Sequence, residues 1–267
     1  MLLAIDIGNT NITLGVFPPA RTGPLARRGP APKGPVSWRL STRPHATADE
    51  YGPQILDLFH HVGLEPAAVS GVAVASVVPP MDSVFLEVSQ RYFSVRPLFV
   101  GPGVKTGVKI LYDNPSEVGA DRIVNTVAAY GRLGRACIVV DFGTATTFDC
   151  VNRRGDYMGG AIAPGPAMVA ESLARNTAKL PLLGAFRKPP SPIGKTTEEG
   201  LCSGLFYGTV GLTREILKRL KGEMGGSPPV LATGGLAPLL APAVGGIRSV
   251  LPDLTLEGLR IIWERNF

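Results

Sequence analysis

The feature that most constrains this chain is a short motif, Asp-x-Gly, that occurs twice at the end of an apolar run. The first copy spans residues 6–10 (DIGNT) and the second spans residues 141–145 (DFGTA). Since they lie 135 positions apart in a chain of 267 residues, the pattern indicates a duplicated domain rather than two unrelated turns.

The elements predicted around each copy follow one plan, in which a strand, a turn, two further strands and a helix succeed one another. Strands are predicted over residues 2–17 (two strands around a tight turn), 36–41, 69–78, 97–100, 136–141, 146–151, 157–163 and 230–232. Helices are predicted over residues 47–62, 82–93, 122–132, 166–176, 198–220 and 255–265. We therefore expect an α/β chain with mixed sheets flanked by helices, two halves over residues 1–120 and 121–267, and a cleft between the halves.

The turns that follow the two buried strands have the composition that phosphate binding requires. Glycine lets backbone N–H groups approach phosphate oxygens, Asn and Thr side chains add donors, and the Asp can hold a hydrated cation that offsets phosphate charge. A third glycine turn, ATGGL at residues 232–236, follows another strand. The chain has no G-x-x-x-x-G-K-[ST] loop, and its Asp-Phe-Gly at residues 141–143 is not accompanied by the HRD motif of the protein-kinase set, which argues against the commoner nucleotide-binding folds.

Residues 112–122 (YDNPSEVGADR) place an acid and a guanidinium side by side where a helix is expected to begin. Asp121 at that position can accept a proton from a substrate hydroxyl, and Arg122 can hold a carboxylate through two parallel hydrogen bonds. An Asp that caps the helix beside a solvated Arg explains the pair equally well.

Taken together, several segments resemble the type III pantothenate kinase family along the whole chain. They are DIGNTNI at 6–12, YDNPSEVGADR at 112–122, DFGTATTFD at 141–149, GGAIAPG at 159–165, IGKTT at 193–197 and ATGGL at 232–236. The resemblance implies duplicated ribonuclease H-like domains of the acetate and sugar kinase/Hsp70/actin superfamily. It also implies ATP-dependent phosphorylation of pantothenate to 4'-phosphopantothenate, the first step of coenzyme A biosynthesis, by a homodimer that uses Mg²⁺ and a monovalent cation, K⁺ or NH₄⁺.

The resemblance further implies roles for individual residues. The ATP-binding set is Asp6, Ile7, Gly8, Asn9, Thr10, Asn11, Ile12, Thr13 and Thr144, with Asp6 also expected to position Mg²⁺ or its waters. The substrate-binding set is Tyr112, Gly119, Ala120, Asp121, Arg122 and one of the neighbours Thr196 and Thr197. Asp121 is the expected catalytic proton acceptor, and Asp141 is the expected potassium ligand.

The net charge of +6 raises the possibility of a nucleic-acid partner. Residues 18–36 carry four cations and no acid, so this Pro/Gly-rich stretch supplies +4 and leaves +2 for the rest. It is longer than family members usually carry there, and its composition is typical of a solvated, mobile insertion. We therefore expect no nucleic-acid partner. A DNA-associated regulatory factor, and a kinase of the same superfamily acting on another small hydroxy acid, are the alternatives.

The composition also bears on location and on metal or disulfide chemistry. No apolar run reaches the length of a membrane span, and the N-terminus meets Asp6 at once, unlike a signal peptide. We expect a cytoplasmic protein with no membrane partner. The three cysteines are widely separated and lack CxxC spacing, which argues against a disulfide framework or a zinc site.

Overall fold

Two five-stranded sheets with the same strand order form the framework in the computed structural model, which describes residues 1–18 and 34–267. The first has the order β3-β2-β1-β4-β5 and comprises β1 (Leu2–Ile7), β2 (Asn11–Phe17), β3 (Val36–Ser41), β4 (Gly71–Ser76) and β5 (Leu98–Phe99). The second has the order β8-β7-β6-β9-β10 and comprises β6 (Cys137–Phe142), β7 (Ala145–Val151), β8 (Tyr157–Pro164), β9 (Val230–Thr233) and β10 (Ser249–Val250).

The strand directions repeat as well as the order. In the first sheet β1 pairs with β2 and β2 with β3 in antiparallel fashion, while β1–β4 and β4–β5 are parallel. The second sheet repeats this with β6–β7 and β7–β8 antiparallel and β6–β9 and β9–β10 parallel. The duplication and the mixed sheets predicted from the sequence are therefore confirmed at the level of topology.

Seven α-helices connect and flank the strands within residues 1–18 and 34–267. They are α1 (Ala48–His61), α2 (Pro79–Phe93), α3 (Ala120–Leu133), α4 (Pro166–Asn176), α5 (Thr197–Glu223), α6 (Ala237–Val244) and α7 (Leu254–Asn266). Short 3₁₀ helices cover Pro66–Ala68 and Pro115–Glu117. Helix α2 begins three residues earlier than expected because Pro79 and Pro80 occupy its first turn, where a missing N–H costs nothing. The two-residue strand β10 was not expected from the sequence.

The helix boundaries follow from local chemistry. Helix α1 begins after Thr47, whose N–H donates to Glu50 Oε2 at 2.8 Å, as a capping box requires. It ends before Gly63, whose φ of +70° is a backbone conformation that glycine adopts without steric cost. The predicted helix over residues 47–62 is therefore confirmed to within one residue at each end.

The described residues divide into two compact units. The first comprises Met1–Val108, Asn114–Ala128 and Asp253–Phe267, and the second comprises Lys109–Asp113 and Ala129–Pro252. The units differ from the expected halves, residues 1–120 and 121–267, chiefly because the C-terminal helix α7 packs against β1, β2 and β4 of the first sheet. The cleft expected between the halves stays a prediction, as does the character of the 18–36 insertion, of which residues 19–33 lie outside the described part of the chain.

In the first unit, alternation along β1 assigns its side chains to two layers of core. Leu3, Ile5 and Ile7 pack with α1 and α2 in one cluster, while Leu2 and Ala4 pack with α3 and α7 in another. Since side chains alternate along a strand, Asp6 lies on the face that carries α3 and α7.

In the second unit, one face of the sheet packs against α5 and α6. Ile138, Val140 and Phe142 of β6 pack there with Phe206 and Leu240. No helix among the described residues is long and apolar enough to span a membrane.

Gly258 of α7 provides a test of this packing. A Cβ added there would lie 2.2 Å from the carbonyl oxygen of Val124 in α3, so Gly258→Ala forces the helices apart and should lower the free energy of unfolding by roughly 1–3 kcal/mol. Urea unfolding measures this change.

Gly222→Ala is the matched control, because a Cβ on that helical glycine meets nothing within 4 Å. It should raise the free energy of unfolding, by up to about 1 kcal/mol, through helix propensity alone. Equal effects of the two substitutions would contradict the close α3–α7 contact.

Candidate active site

The turn between β1 and β2 is held from both sides. The Gly8 N–H donates to the Asn11 carbonyl at 3.0 Å, and the Thr42 hydroxyl donates to the Gly8 carbonyl at 2.6 Å. The Thr42 N–H also donates to the Thr10 carbonyl at 3.0 Å. Asn9, Thr10 and Asn11 are exposed, whereas Asp6 is half-buried. A fixed backbone with exposed polar side chains suits phosphate binding.

Thr42 is a contributor to this turn that the sequence analysis missed. It lies one residue beyond the predicted third strand, and nothing in its local sequence shows that it reaches Gly8 and Thr10. The register of β3 against β2, in which Ser41 lies opposite Asn11, brings it there.

The start of helix α3 lies close to the end of β1 in the same unit. The Val77 N–H continues the ladder between β1 and β4 by donating to the Ile7 carbonyl at 3.0 Å. A Cβ added to Gly119 would lie 3.5 Å from Val77 Cγ1 and 2.5 Å from Asp121 Oδ1. Gly119 therefore leaves the space that the Asp121 carboxylate occupies.

The Asp121 carboxyl is set in the first turn of α3, where Oδ1 accepts from the Arg122 N–H at 2.8 Å. Burial raises the pKa of this carboxyl above its usual value, while the Arg122 N–H, the Arg122 charge and its own backbone N–H oppose the rise. Arg122 itself is only 7% exposed. Asp121 is thus the second residue of α3 rather than its N-cap, and Arg122 is buried rather than solvated, so the alternative of a capping Asp beside a solvated Arg is wrong. The carboxyl has a raised proton affinity because it is buried.

In the second unit, Asp141 is the second-last residue of β6 and lies beside two glycine turns. A Cβ added to Gly234 would lie 2.3 Å from Asp141 Oδ1, and one on Gly143 would lie 3.5 Å from it. The φ of Gly234 is +89°, and the Leu236 N–H donates to the Phe142 carbonyl at 3.2 Å. The ATGGL turn therefore lies directly against the second Asp-x-Gly turn.

These surroundings fit a hydrated cation near each carboxylate. Within residues 1–18 and 34–267 no group of three or more His, Cys, Asp or Glu residues could hold a metal ion. Mg²⁺ commonly binds through one or two carboxylates plus water and substrate phosphates, and Asp6 beside the first turn suits that mode. Asp141 Oδ1 lies where a side chain on Gly234 would stand, and the charge of its carboxylate suits a cation.

Thr144 is exposed at the tip of the turn between β6 and β7. Its carbonyl accepts from the Gly165 N–H at 3.2 Å, and a Cβ on Gly165 would lie 2.2 Å from that oxygen. The GGAIAPG segment thus contacts the turn through Gly165. Any residue with a Cβ at this position would displace the backbone of the turn.

Tyr112 and the two threonines also belong to the second unit. Tyr112 is 37% exposed and its ring lies 6.2 Å from that of Tyr157. Thr196 caps α5, since its hydroxyl accepts from the Glu199 N–H at 3.1 Å, and Thr197 is the first residue of that helix. Both threonines are exposed.

The structure thus distributes the expected site residues over the two units. The first unit brings together Asp6, Ile7, Gly8, Asn9, Thr10, Asn11, Ile12 and Thr13 with Gly119, Ala120, Asp121 and Arg122. The second contains Tyr112, Asp141, Thr144, Thr196 and Thr197.

Comparison with known proteins decides the family. The sequence model of type III pantothenate kinase matches residues 2–219. The chain belongs to the type III pantothenate kinase family. A type III pantothenate kinase of Anaeromyxobacter sp. (strain K) is 52% identical over 266 residues, which cover 100% of both chains.

Solved structures agree with the fold of this type III pantothenate kinase family member. A Campylobacter jejuni protein named for the Baf family of transcriptional activators superposes with a TM-score of 0.57 at 18% identity, covering 99% of this chain and 98% of the other. Acetate kinase from Entamoeba histolytica gives 0.51 at 9% identity, covering 99% of each. These likenesses show the fold alone, and they agree with two duplicated ribonuclease H-like domains, each with a mixed sheet flanked by helices.

The raised pKa of Asp121 predicts a stability effect in this family member. A carboxyl whose pKa is higher in the folded protein destabilises the fold once pH exceeds its unfolded value, because the buried form prefers to be neutral. Asp121→Asn removes that charge and keeps an acceptor for the Arg122 N–H. The variant should therefore be at least as stable as the wild type at mildly alkaline pH, with an advantage that shrinks as pH falls through the carboxyl range.

Thermal unfolding across that pH range measures the effect, with Asp57→Asn in α1 as an exposed control in the same unit. A less stable Asp121→Asn variant at alkaline pH would show that the ionised carboxylate is favourably held.

Proposed function

We propose that the residues described above carry out the reaction of the chain's family, the ATP-dependent phosphorylation of pantothenate in coenzyme A biosynthesis. Family membership makes the chain a pantothenate kinase; the roles of its residues are the proposal. The observation that carries it is the arrangement in the first unit. The Val77 N–H donates to the Ile7 carbonyl at the end of β1, and Gly119 lies close to both Val77 and the Asp121 carboxyl.

The ATP phosphates would bind the turn that follows β1. Backbone N–H groups and the exposed side chains of Asn9, Thr10 and Asn11 supply donors, and Thr42 keeps the backbone in place. Asp6 would hold Mg²⁺ or its waters, which offset the charge of the transferring phosphoryl group. In the second unit, exposed Thr144 would add a contact to ATP.

Asp121 would accept the proton of the primary hydroxyl of pantothenate as that oxygen attacks the γ-phosphate. A base with a pKa raised by burial holds the transferred proton better than an ordinary carboxylate. Arg122 would bind the pantothenate carboxylate through paired hydrogen bonds. Tyr112 would add a contact to the same substrate, as would one of the neighbours Thr196 and Thr197, both of which are exposed.

Asp141 would hold the monovalent cation, K⁺ or NH₄⁺, beside the ATGGL turn, where Gly234 lets the Asp141 carboxylate come close to the turn. We also propose a cytoplasmic homodimer that has pantothenate and ATP, rather than nucleic acid, as its partners. The likeness to the Campylobacter protein extends to the fold alone, so it adds no weight to a DNA-associated role. Duplex DNA binding that weakens steeply with salt would revive that alternative.

Release of ADP by the purified protein in the presence of ATP and Mg²⁺ tests the reaction and the cation site together. We expect release to depend on pantothenate and to rise on addition of K⁺. Asp141→Asn should weaken the K⁺ stimulation, because a neutral amide holds a cation less well than a carboxylate. Turnover with another hydroxy acid but not with pantothenate would favour the alternative kinase, and K⁺ stimulation that survives Asp141→Asn would remove Asp141 from the cation site.

Asp121→Asn tests the proton acceptor separately. Loss of general base catalysis should lower kcat by roughly 10²- to 10⁴-fold, while ATP binding, measured by calorimetry, stays nearly unchanged. Since the same substitution is expected to keep or raise stability at neutral to alkaline pH, a low kcat cannot be ascribed to unfolding. Unchanged turnover would remove Asp121 from the mechanism.

A further inference from the structure

A buried carboxylate in the second sheet has no part in the roles given above. Asp149 of β7 is completely buried (0% exposed), and it lies opposite Val139 of β6 and Gly160 of β8. Removing an acid from water is unfavourable unless hydrogen bonds compensate. An apolar side chain would fill this position at a lower cost in free energy. The acid is therefore not explained by stability alone.

Asp149 accepts hydrogen bonds from at least two hydroxyl groups. The Tyr157 hydroxyl donates to Oδ1 at 3.2 Å, and the Thr147 hydroxyl donates to Oδ2 at 3.4 Å. Tyr157 is also completely buried. The bond to Asp149 gives the buried Tyr157 hydroxyl an acceptor and fixes where the Tyr157 ring lies.

Tyr157 in turn holds the segment that carries Tyr112. The Tyr157 N–H donates to the Lys109 carbonyl at 2.9 Å, and the Tyr157 carbonyl accepts from the Leu111 N–H at 2.8 Å. The Tyr112 ring then packs at 48° to the Tyr157 ring. A Cβ on Gly159 would lie 3.4 Å from the Tyr112 ring, so the Tyr112 ring packs closely against the backbone at this glycine.

From these contacts we infer that Asp149 and Tyr157 are positioning residues for the acceptor substrate. Asp149 fixes Tyr157, Tyr157 fixes Tyr112, and the exposed face of Tyr112 meets pantothenate. The inference rests on the proposed function, in which Tyr112 is a pantothenate contact. The competing explanation is a purely structural pair that stabilises the β7–β8 hairpin.

Tyr157→Phe tests the inference, because it removes one hydroxyl and keeps the ring. We expect the KM for pantothenate to rise by roughly 3- to 10-fold, as for loss of one hydrogen bond. The kcat and the KM for ATP should stay within about two-fold of the wild type, because the loss affects acceptor binding alone.

Tyr130→Phe is the matched control. Its hydroxyl donates to the Arg153 carbonyl at 3.2 Å in the turn of the same β7–β8 hairpin, so it removes a comparable bond away from Tyr112. The KM for pantothenate should not change. An equal rise in both variants, or no rise in Tyr157→Phe, would overturn the inference.

The double variant separates positioning from general structure. If Tyr157 acts through Tyr112, then Tyr157→Phe should change the KM for pantothenate no further once Tyr112→Ala is present. A full additional loss in that background would overturn the inference.

Asp149 has its own pair of variants. Asp149→Asn keeps an oxygen acceptor for the Tyr157 hydroxyl and should change the KM for pantothenate less than Asp149→Val, which removes the acceptor. A folded Asp149→Val protein with the wild-type KM would overturn the role of Asp149, and if that variant does not fold, Tyr157→Phe decides.

Measurements on the wild-type protein separate a failure of the proposed function from a failure of the roles inferred for Asp149 and Tyr157. If it releases no ADP in response to pantothenate, the proposed function fails and this inference with it. If it does so and Tyr157→Phe has a normal KM, the inference alone is wrong.

Discussion

The parallel pairing of β1 with β4, and of β6 with β9, is the constraint on which the proposed site depends. Parallel neighbours end at the same edge of a sheet, so whatever follows each strand meets there. In the first unit this brings Val77, just after β4, against Ile7 at the end of β1, and Gly119 lies against Val77. In the second unit it brings Gly234, after β9, against Asp141 at the end of β6.

Glycines at these edges determine how close the carboxylates can come to their surroundings. A side chain on Gly119 would collide with the Asp121 carboxylate, and one on Gly234 would collide with that of Asp141. Gly119 and Gly234 therefore leave the space that the two carboxylates themselves occupy, and a substitution at either glycine would displace a carboxylate of the proposed site.

Burial affects both the stability and the chemistry of the acidic residues Asp121 and Asp149. Partial burial of Asp121 raises its pKa and makes it a better proton acceptor, at the expense of stability when it is ionised. Asp149 is more deeply buried and is satisfied by hydroxyl donors, which suits a fixed support rather than a reacting group. The two carboxyl groups thus have different surroundings, and we propose different roles for them on that ground.

The sequence by itself determined the duplication, most element boundaries and the residue types at the candidate site. It could do so because the spacing of the Asp-x-Gly turns, the apolar alternation and the caps are local properties of the chain. It did not predict Thr42 beneath Gly8, the packing of α7 on the first sheet, or the path from Asp149 through Tyr157 to Tyr112. Each of these joins residues that strand register or helix packing brings together from separate parts of the chain, and only the tertiary structure decides such contacts. The pKa of Asp121 belongs with them, because solvent exclusion depends on everything that packs around the carboxyl.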